Sequence, residues 1–165
     1  MKPLPFILAL LVLLIGCDYH VALVKTPDQP LHQGLIGLWQ HQDDGGRKEL
    51  LQVLPLDEHQ YLIAFPAGNV TCLYARACHW RNATLPMLQM TCLGSTEPIP
   101  ANQPPYMYAH WELSGDTLTV QFLNPEQISN AVRSSTALAN SITANADDPM
   151  IFREAMIFHR HKPDK

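Results

Sequence analysis

The chain has 165 residues, 47% of them hydrophobic and 16% charged, with a formal net charge of -4. That mildly acidic balance argues against a nucleic-acid partner, which calls for a basic patch, and equally against polybasic attachment to anionic lipid. The length suits one domain with a real core, and neither an internal repeat nor a long low-complexity segment interrupts it.

Met1 to Cys17 reads M-K-P-L-P-F-I-L-A-L-L-V-L-L-I-G-C. One Lys, an apolar run from Phe6 to Ile15 and a small residue before a Cys form the three regions of an export signal. The run is shorter than the roughly 20 residues a stable bilayer crossing needs. Leu14-Ile15-Gly16-Cys17 resembles the lipobox of bacterial lipoproteins. The resemblance implies a diacylglycerol on the Cys17 thiol, removal of residues 1–16 and acylation of the new amine. Two or more acyl chains hold a protein to a bilayer stably, whereas one does so only marginally. Asp18 becomes the second residue of the mature chain, and in enteric-type lipoproteins an Asp there resembles the signal that retains a protein in the inner membrane. The expected partner is therefore the membrane, reached through the N-terminal lipid. The expected location faces the periplasm, on the inner rather than the outer membrane. The expected division is a signal peptide over 1–16, a lipidated tether over 17–33, a single β domain over 34–161 and a tail over 162–165.

The stretch 18–33 holds two Pro and little periodicity, which suits a tether, with Val21 to Val24 at most a short edge strand. Gly34 to Gln40 predicts a first strand that bends at its glycines. Its Gly37-Leu38-Trp39 is G-x-W, a pattern that opens lipocalin-like barrels, where the Trp packs across the closed end. Asp43 to Arg47 predicts a turn. Glu49 to Leu56 and Tyr61 to Phe65, rich in β formers, predict a hairpin. Val70 to Arg81 reads as extended, in one strand or two, and Met87 to Leu93 returns against it. Gly94 to Pro105 carries Pro98, Pro100, Pro104 and Pro105, and so predicts a loop.

Tyr106 to Leu113 alternates, with Tyr106, Tyr108 and His110 on one face and Met107, Ala109, Trp111 and Leu113 on the other. Thr117 to Leu123 alternates strictly, with Leu118, Val120 and Phe122 inward. Ser114-Gly115-Asp116 joins the two. Asn124-Pro125-Glu126-Gln127 carries helix-start signals, and Ile128, Ala131 and Val132 supply one apolar face. Ser141 to Ala144 is read as a strand, Asp147 as the cap of a second short helix through Phe152, and Ala155 to His161 as the final strand. This order, and above all Leu113-Ser114-Gly115-Asp116-Thr117-Leu118 running into Phe122-Leu123-Asn124-Pro125-Glu126, resembles a group of small bacterial envelope proteins, many of them lipoproteins. The resemblance implies a mainly β, antiparallel lipocalin-like barrel or half-barrel with one or two short helices near the C-terminus. It carries no catalytic residue across, and the Cys pattern departs from it.

Three Cys follow Cys17, namely Cys72, Cys78 and Cys92. Export places them in a disulfide-permissive compartment, and their spacing is not that of a zinc site. Folding 76–81 against 87–93 brings Cys78 near Cys92, so that pair is favoured for one bridge. Cys72 shares the strand parity of Cys78 and stays in contention. The chain lacks G-x-S-x-G, H-E-x-x-H, a Walker loop and a Rossmann fingerprint. Asp43 and Asp44 are neighbours in a turn and are read as solvated. His159 and His161, with His110 across the sheet, are read as surface histidines rather than metal ligands. Cys78 and His79 point apart on a strand, so no nucleophile–base pair is read there. No catalytic residue, metal or cofactor is expected. The expected role is binding rather than catalysis, with another envelope protein or a small apolar ligand as partner. In the carrier alternative, Trp39, Tyr61, Tyr106 and Tyr108 line the cavity. The second alternative is an enzyme without a recognisable motif.

Overall fold

The structure, a computed structural model, describes residues 18–42, 45–67, 71–81, 85–96, 98–99 and 101–162. Eight strands follow one another around a closed antiparallel barrel. They are β1 (Gly37–Gln42), β2 (Lys48–Pro55), β3 (Gln60–Ala67), β4 (Thr71–Trp80), β5 (Met87–Ser95), β6 (Tyr106–Ser114), β7 (Thr117–Phe122) and β8 (Met156–Arg160). β8 closes onto β1, with Trp39 opposite Arg160 and His41 opposite Phe158. Of the two expected forms, the closed barrel is the one adopted. Among the described residues no helix is long and apolar enough to cross a membrane.

Strict alternation decides the faces. Leu118, Val120 and Phe122 of β7 and Met107, Ala109, Trp111 and Leu113 of β6 point into the barrel core, as the period-two pattern requires. Ser114 pairs with Thr117 across a two-residue loop. Gly115 there has φ 58° and Asp116 has none of the positive φ, the pattern of a type II′ turn that matches strand twist.

The opposite faces of β5 and β6 are also covered. Tyr108 and Met87 belong to a second apolar cluster with Tyr19, Ile128, Leu138 and Ile142. Here the expected tether departs from its reading. Tyr19 is only 1% exposed, its backbone exchanges two hydrogen bonds with Tyr106, and its hydroxyl donates to the Ile128 carbonyl at 3.0 Å. Farther on, the Gln89 side-chain amide accepts from Val24 N at 2.8 Å and donates to Val24 O at 2.9 Å. Residues 19–24 thus form a strap along the outside of the barrel, and the chain then turns in over the barrel end, where Leu31 packs on the core and His32 N donates to the Tyr61 hydroxyl. The physical reason is that Tyr19, Val21 and Leu23 recur at every second position, and the outward side chains of β5 and β6 are apolar enough to receive them.

The helices also move from their expected places. Residues 125–131 form turns, and the helix is α1 (Ser135–Ala144), capped by Ser134. Asn124 does close one turn, accepting from Gln127 N and Ile128 N. Propagation stops because Tyr19 occupies the Ile128 carbonyl and Ser129 takes the Ala131 N–H at 3.2 Å, the local competition expected of Ser. Residues 141–144 are helical, with Leu138 and Ile142 one turn apart and fully buried. The second short helix is a 3₁₀ turn, Pro149–Ile151, capped by Asp148 rather than Asp147.

Candidate functional site

The strand directions give the barrel two ends. One carries Gly37, the turns after β2 and β6, and Arg160. The other carries the ends of β3, β5 and β7. At the first end, Trp39 is wholly buried and donates its indole N–H to the Leu35 carbonyl at 2.9 Å. The Arg160 guanidinium lies 4.2 Å from the Trp39 ring centroid, a cation–π contact, and donates to the carbonyls of Gly34 and Ile36. Gly37 has φ 148°, and a Cβ there would stand 2.7 Å from the Arg160 guanidinium. The glycine of G-x-W is therefore needed to let Arg160 seal this end, and Trp39 lies across it as the motif implies.

Just inside the closed end, the Tyr61 hydroxyl accepts from His32 N at 2.6 Å and meets His79 Nε2 at 2.8 Å. With the phenol as donor, His79 is the Nδ1–H tautomer. Burial, together with the nearby His32, holds the His79 pKa below its ordinary value, and burial raises that of Tyr61. His32 and His79 both lie against Trp111, at 5.1 and 5.7 Å between ring centroids. The Trp111 indole nitrogen is buried without a hydrogen-bond partner.

Between this floor and the far end is a cavity of about 60 Å³. Among the described residues, every side chain lining it is hydrocarbon, thioether or the Trp111 indole. It exists because Ala75 and Ala109 stand inward where neighbouring positions hold Met90, Met107 and Phe158. These side chains offer no proton donor, base or nucleophile of the kind acid–base or nucleophilic chemistry uses. It can accept an apolar group. The volume lies below the roughly 300–1,000 Å³ of drug-sized sites and below the roughly 150 Å³ of an engineered cavity that binds benzene. Met90, Met107 and Met156 line it, and unbranched thioethers repack easily around an entering group.

A second opening, about 300 Å³, lies outside the barrel between residues 22–27 and the outer face of β4 and β5. Cys78 and Gln89 form its floor, and the exposed cations Lys25 and Arg76 stand at its mouth. Burial pushes the Cys78 thiol up to about 11, which keeps it from acting as a thiolate at neutral pH.

The residues expected from sequence are placed as follows. Cys17 lies outside the described residues, as do Asp43 and Asp44. Asp18 is ion-paired to Arg153 at 2.8 Å. Burial raises its carboxyl pKa, and Arg153 pulls it back down. The Cys78–Cys92 bridge is not formed, and Cys72, Cys78 and Cys92 are all free thiols. Cys78 sits opposite Gln89 and Cys92 opposite Ala75. Cys92 faces the core cluster while Cys78 faces the strap, so the two sulfurs are on opposite sides of the sheet. Cys72 shares the parity of Cys78 but is six residues away along the strand, about 20 Å.

The carrier lining is also corrected, because none of Trp39, Tyr61, Tyr106 and Tyr108 lines the cavity. Trp39 and Tyr61 close its end, and Tyr106 and Tyr108 face outward under the strap. His110 lies stacked on Phe152, buried on the outer face, while His159 is beside Thr117 at the other end of β7. Sequence reasoning missed the sealing role of Arg160 and the space left by Ala75 and Ala109. Two small residues at inward strand positions were the available signal. Comparison with protein families, with curated proteins and with solved structures finds no match to this chain.

Proposed function

We propose that this is a lipid-anchored envelope protein, facing the periplasm, that acts by binding rather than catalysis. Its barrel accepts one slim apolar group, such as the end of an acyl chain. The observation that carries this reading is the cavity, sealed by Trp39 and Arg160 and, among the described residues, lined without a titratable side chain. The anchor part rests on Leu14-Ile15-Gly16-Cys17, and Asp18 supports retention in the inner membrane. The small volume of the cavity favours one second reading, in which the barrel is a scaffold whose outer face binds another envelope protein.

The test is titration of the purified full-length protein with a fatty acid brominated along its chain. Trp111 lines the cavity, whereas Trp39 and Trp80 do not. Saturable quenching is expected, and Ala109→Val, which fills the cavity from β6, should weaken it at least several-fold. No quenching, together with no lipid in an organic extract of the native protein, would leave the scaffold reading standing instead.

A further inference from the structure

Exposed apolar side chains gather at the end of the barrel opposite Trp39. The pairing of β4 with β5 jumps from Tyr74–Gly94 to Ala75–Cys92, so Leu93 is the extra residue of a β-bulge. Leu93 is 54% exposed and Tyr74 beside it 42%. Ile99 is exposed in the loop that follows β5, and Met150 is exposed beside Asn124, just past the end of β7. Among the described residues, the other large exposed apolar side chains, Leu50, Leu54, Leu56 and Ile157, stand apart on β2, the turn after it and β8. Isolated surface apolar residues need no explanation, but a rim of four at one end does.

The chain enters the fold at this same rim. Asp18 N donates to the Tyr106 carbonyl, and its carboxylate is held by Arg153. Tyr106 pairs with Thr91, two residues before Leu93. Asp18 therefore lies two strand spacings across and two residues along from Leu93, or roughly 12 Å. Cys17 is bonded to a residue fixed at the rim, and one residue spans at most about 3.6 Å. No slack separates the site of the lipid from the barrel.

We propose that this rim docks on the bilayer surface, with Tyr74, Leu93, Ile99 and Met150 in the interfacial layer and the Trp39 end pointing away. The proposal rests on the lipid-anchor reading above. It adds a fixed orientation, because a strapped N-terminus cannot let the barrel tumble on its lipid. Tyr suits that layer, with its ring in the apolar part and its hydroxyl in water. The orientation has a functional consequence. Leu73 and Phe122, at the rim end of the cavity lining, then lie nearest the bilayer, which shortens the path of an acyl chain to the cavity.

The test uses full-length protein in vesicles of phosphatidylethanolamine and phosphatidylglycerol with brominated acyl chains. Leu93→Trp places a probe on the rim, and Leu56→Trp places one at the closed end. Both positions are exposed, so the core is untouched and the native Trp background is shared. The added Leu93→Trp emission should lose most of its intensity and shift to shorter wavelength, while the added Leu56→Trp emission changes little. Mass spectrometry of the N-terminal peptide is run on the same samples. Equal quenching at both positions, or none at position 93, with Cys17 acylated, overturns the docking and leaves the anchor intact. An unmodified Cys17 overturns both.

Discussion

Tyr19→Ala separates a strap from a tether. The Tyr19 ring is almost wholly buried, lies edge-on to Tyr108 at 5.3 Å between centroids, and satisfies the Ile128 carbonyl through its hydroxyl. Truncating a buried aromatic to Ala costs about 3–5 kcal/mol, the lost transfer energy plus the cavity left behind. For a domain of this size about 1 kcal/mol lowers Tm by roughly 3 °C, so the variant should melt about 9–15 °C below wild type. Tyr19→Phe keeps the ring and loses the hydrogen bond, at about 1 kcal/mol or roughly 3 °C. His20, the exposed neighbour, is the control, and His20→Ala should stay within about 0.5 kcal/mol of wild type. The assay is differential scanning fluorimetry of the full-length protein in detergent. If Tyr19→Ala and His20→Ala melt together, residues 18–33 are a tether after all and the strap reasoning fails.

Denatured, unreduced protein should yield free thiols at Cys72, Cys78 and Cys92, and in the native state Cys78 should alkylate last; disappearance of two of the three would restore a bridge. Cys17→Ser should remove the acyl mass increment and the detergent partitioning, and unchanged partitioning would count against the anchor. Asp18→Ser should move the protein from the inner to the outer membrane on a density gradient, whereas wild type already in the outer membrane would reject retention. His79 makes stability depend on pH. Its folded pKa is depressed, so between that value and the unfolded one, about 6.5, the unfolded chain binds more protons and stability rises with pH. The His79 contribution is therefore complete above about 6.5 and is lost as pH falls below it. His79→Gln, which keeps an acceptor for Tyr61, should flatten the fall in Tm between neutral and mildly acidic pH; identical profiles would show that His79 is not the group responsible.

Part of this molecule is written locally. The alternation over Thr117 to Phe122 and Tyr106 to Leu113 is enough to assign strands and faces, because side-chain direction along a strand has period two whatever the strand pairs with. The type II′ turn at Gly115 is local for the same reason, since it depends on two dihedral angles. The G-x-W motif pointed to the sealed end, though not to Arg160, which arrives from more than a hundred residues later. The Cys78–Cys92 expectation failed on register. Parity within a strand is local, but the pairing of β4 with β5, and the bulge at Leu93, depend on both strands at once.

The strap and the helix failed together. The Ile128 carbonyl is taken by Tyr19, 109 residues away in sequence, so the helix starts later, at Ser135 behind its cap Ser134. The cavity depends on still more of the chain. Its volume is what remains after every inward side chain of eight strands has been placed. The sequence by itself determined the eight barrel strands, their faces, the turns and the residues that open the barrel, because each depends on neighbours within a few positions, though it also offered a strand at 141–144 where the chain is helical. Only the tertiary structure decided closure, the strap, the state of the three thiols and the space inside, because each depends on distances between residues that the chain order does not bring together.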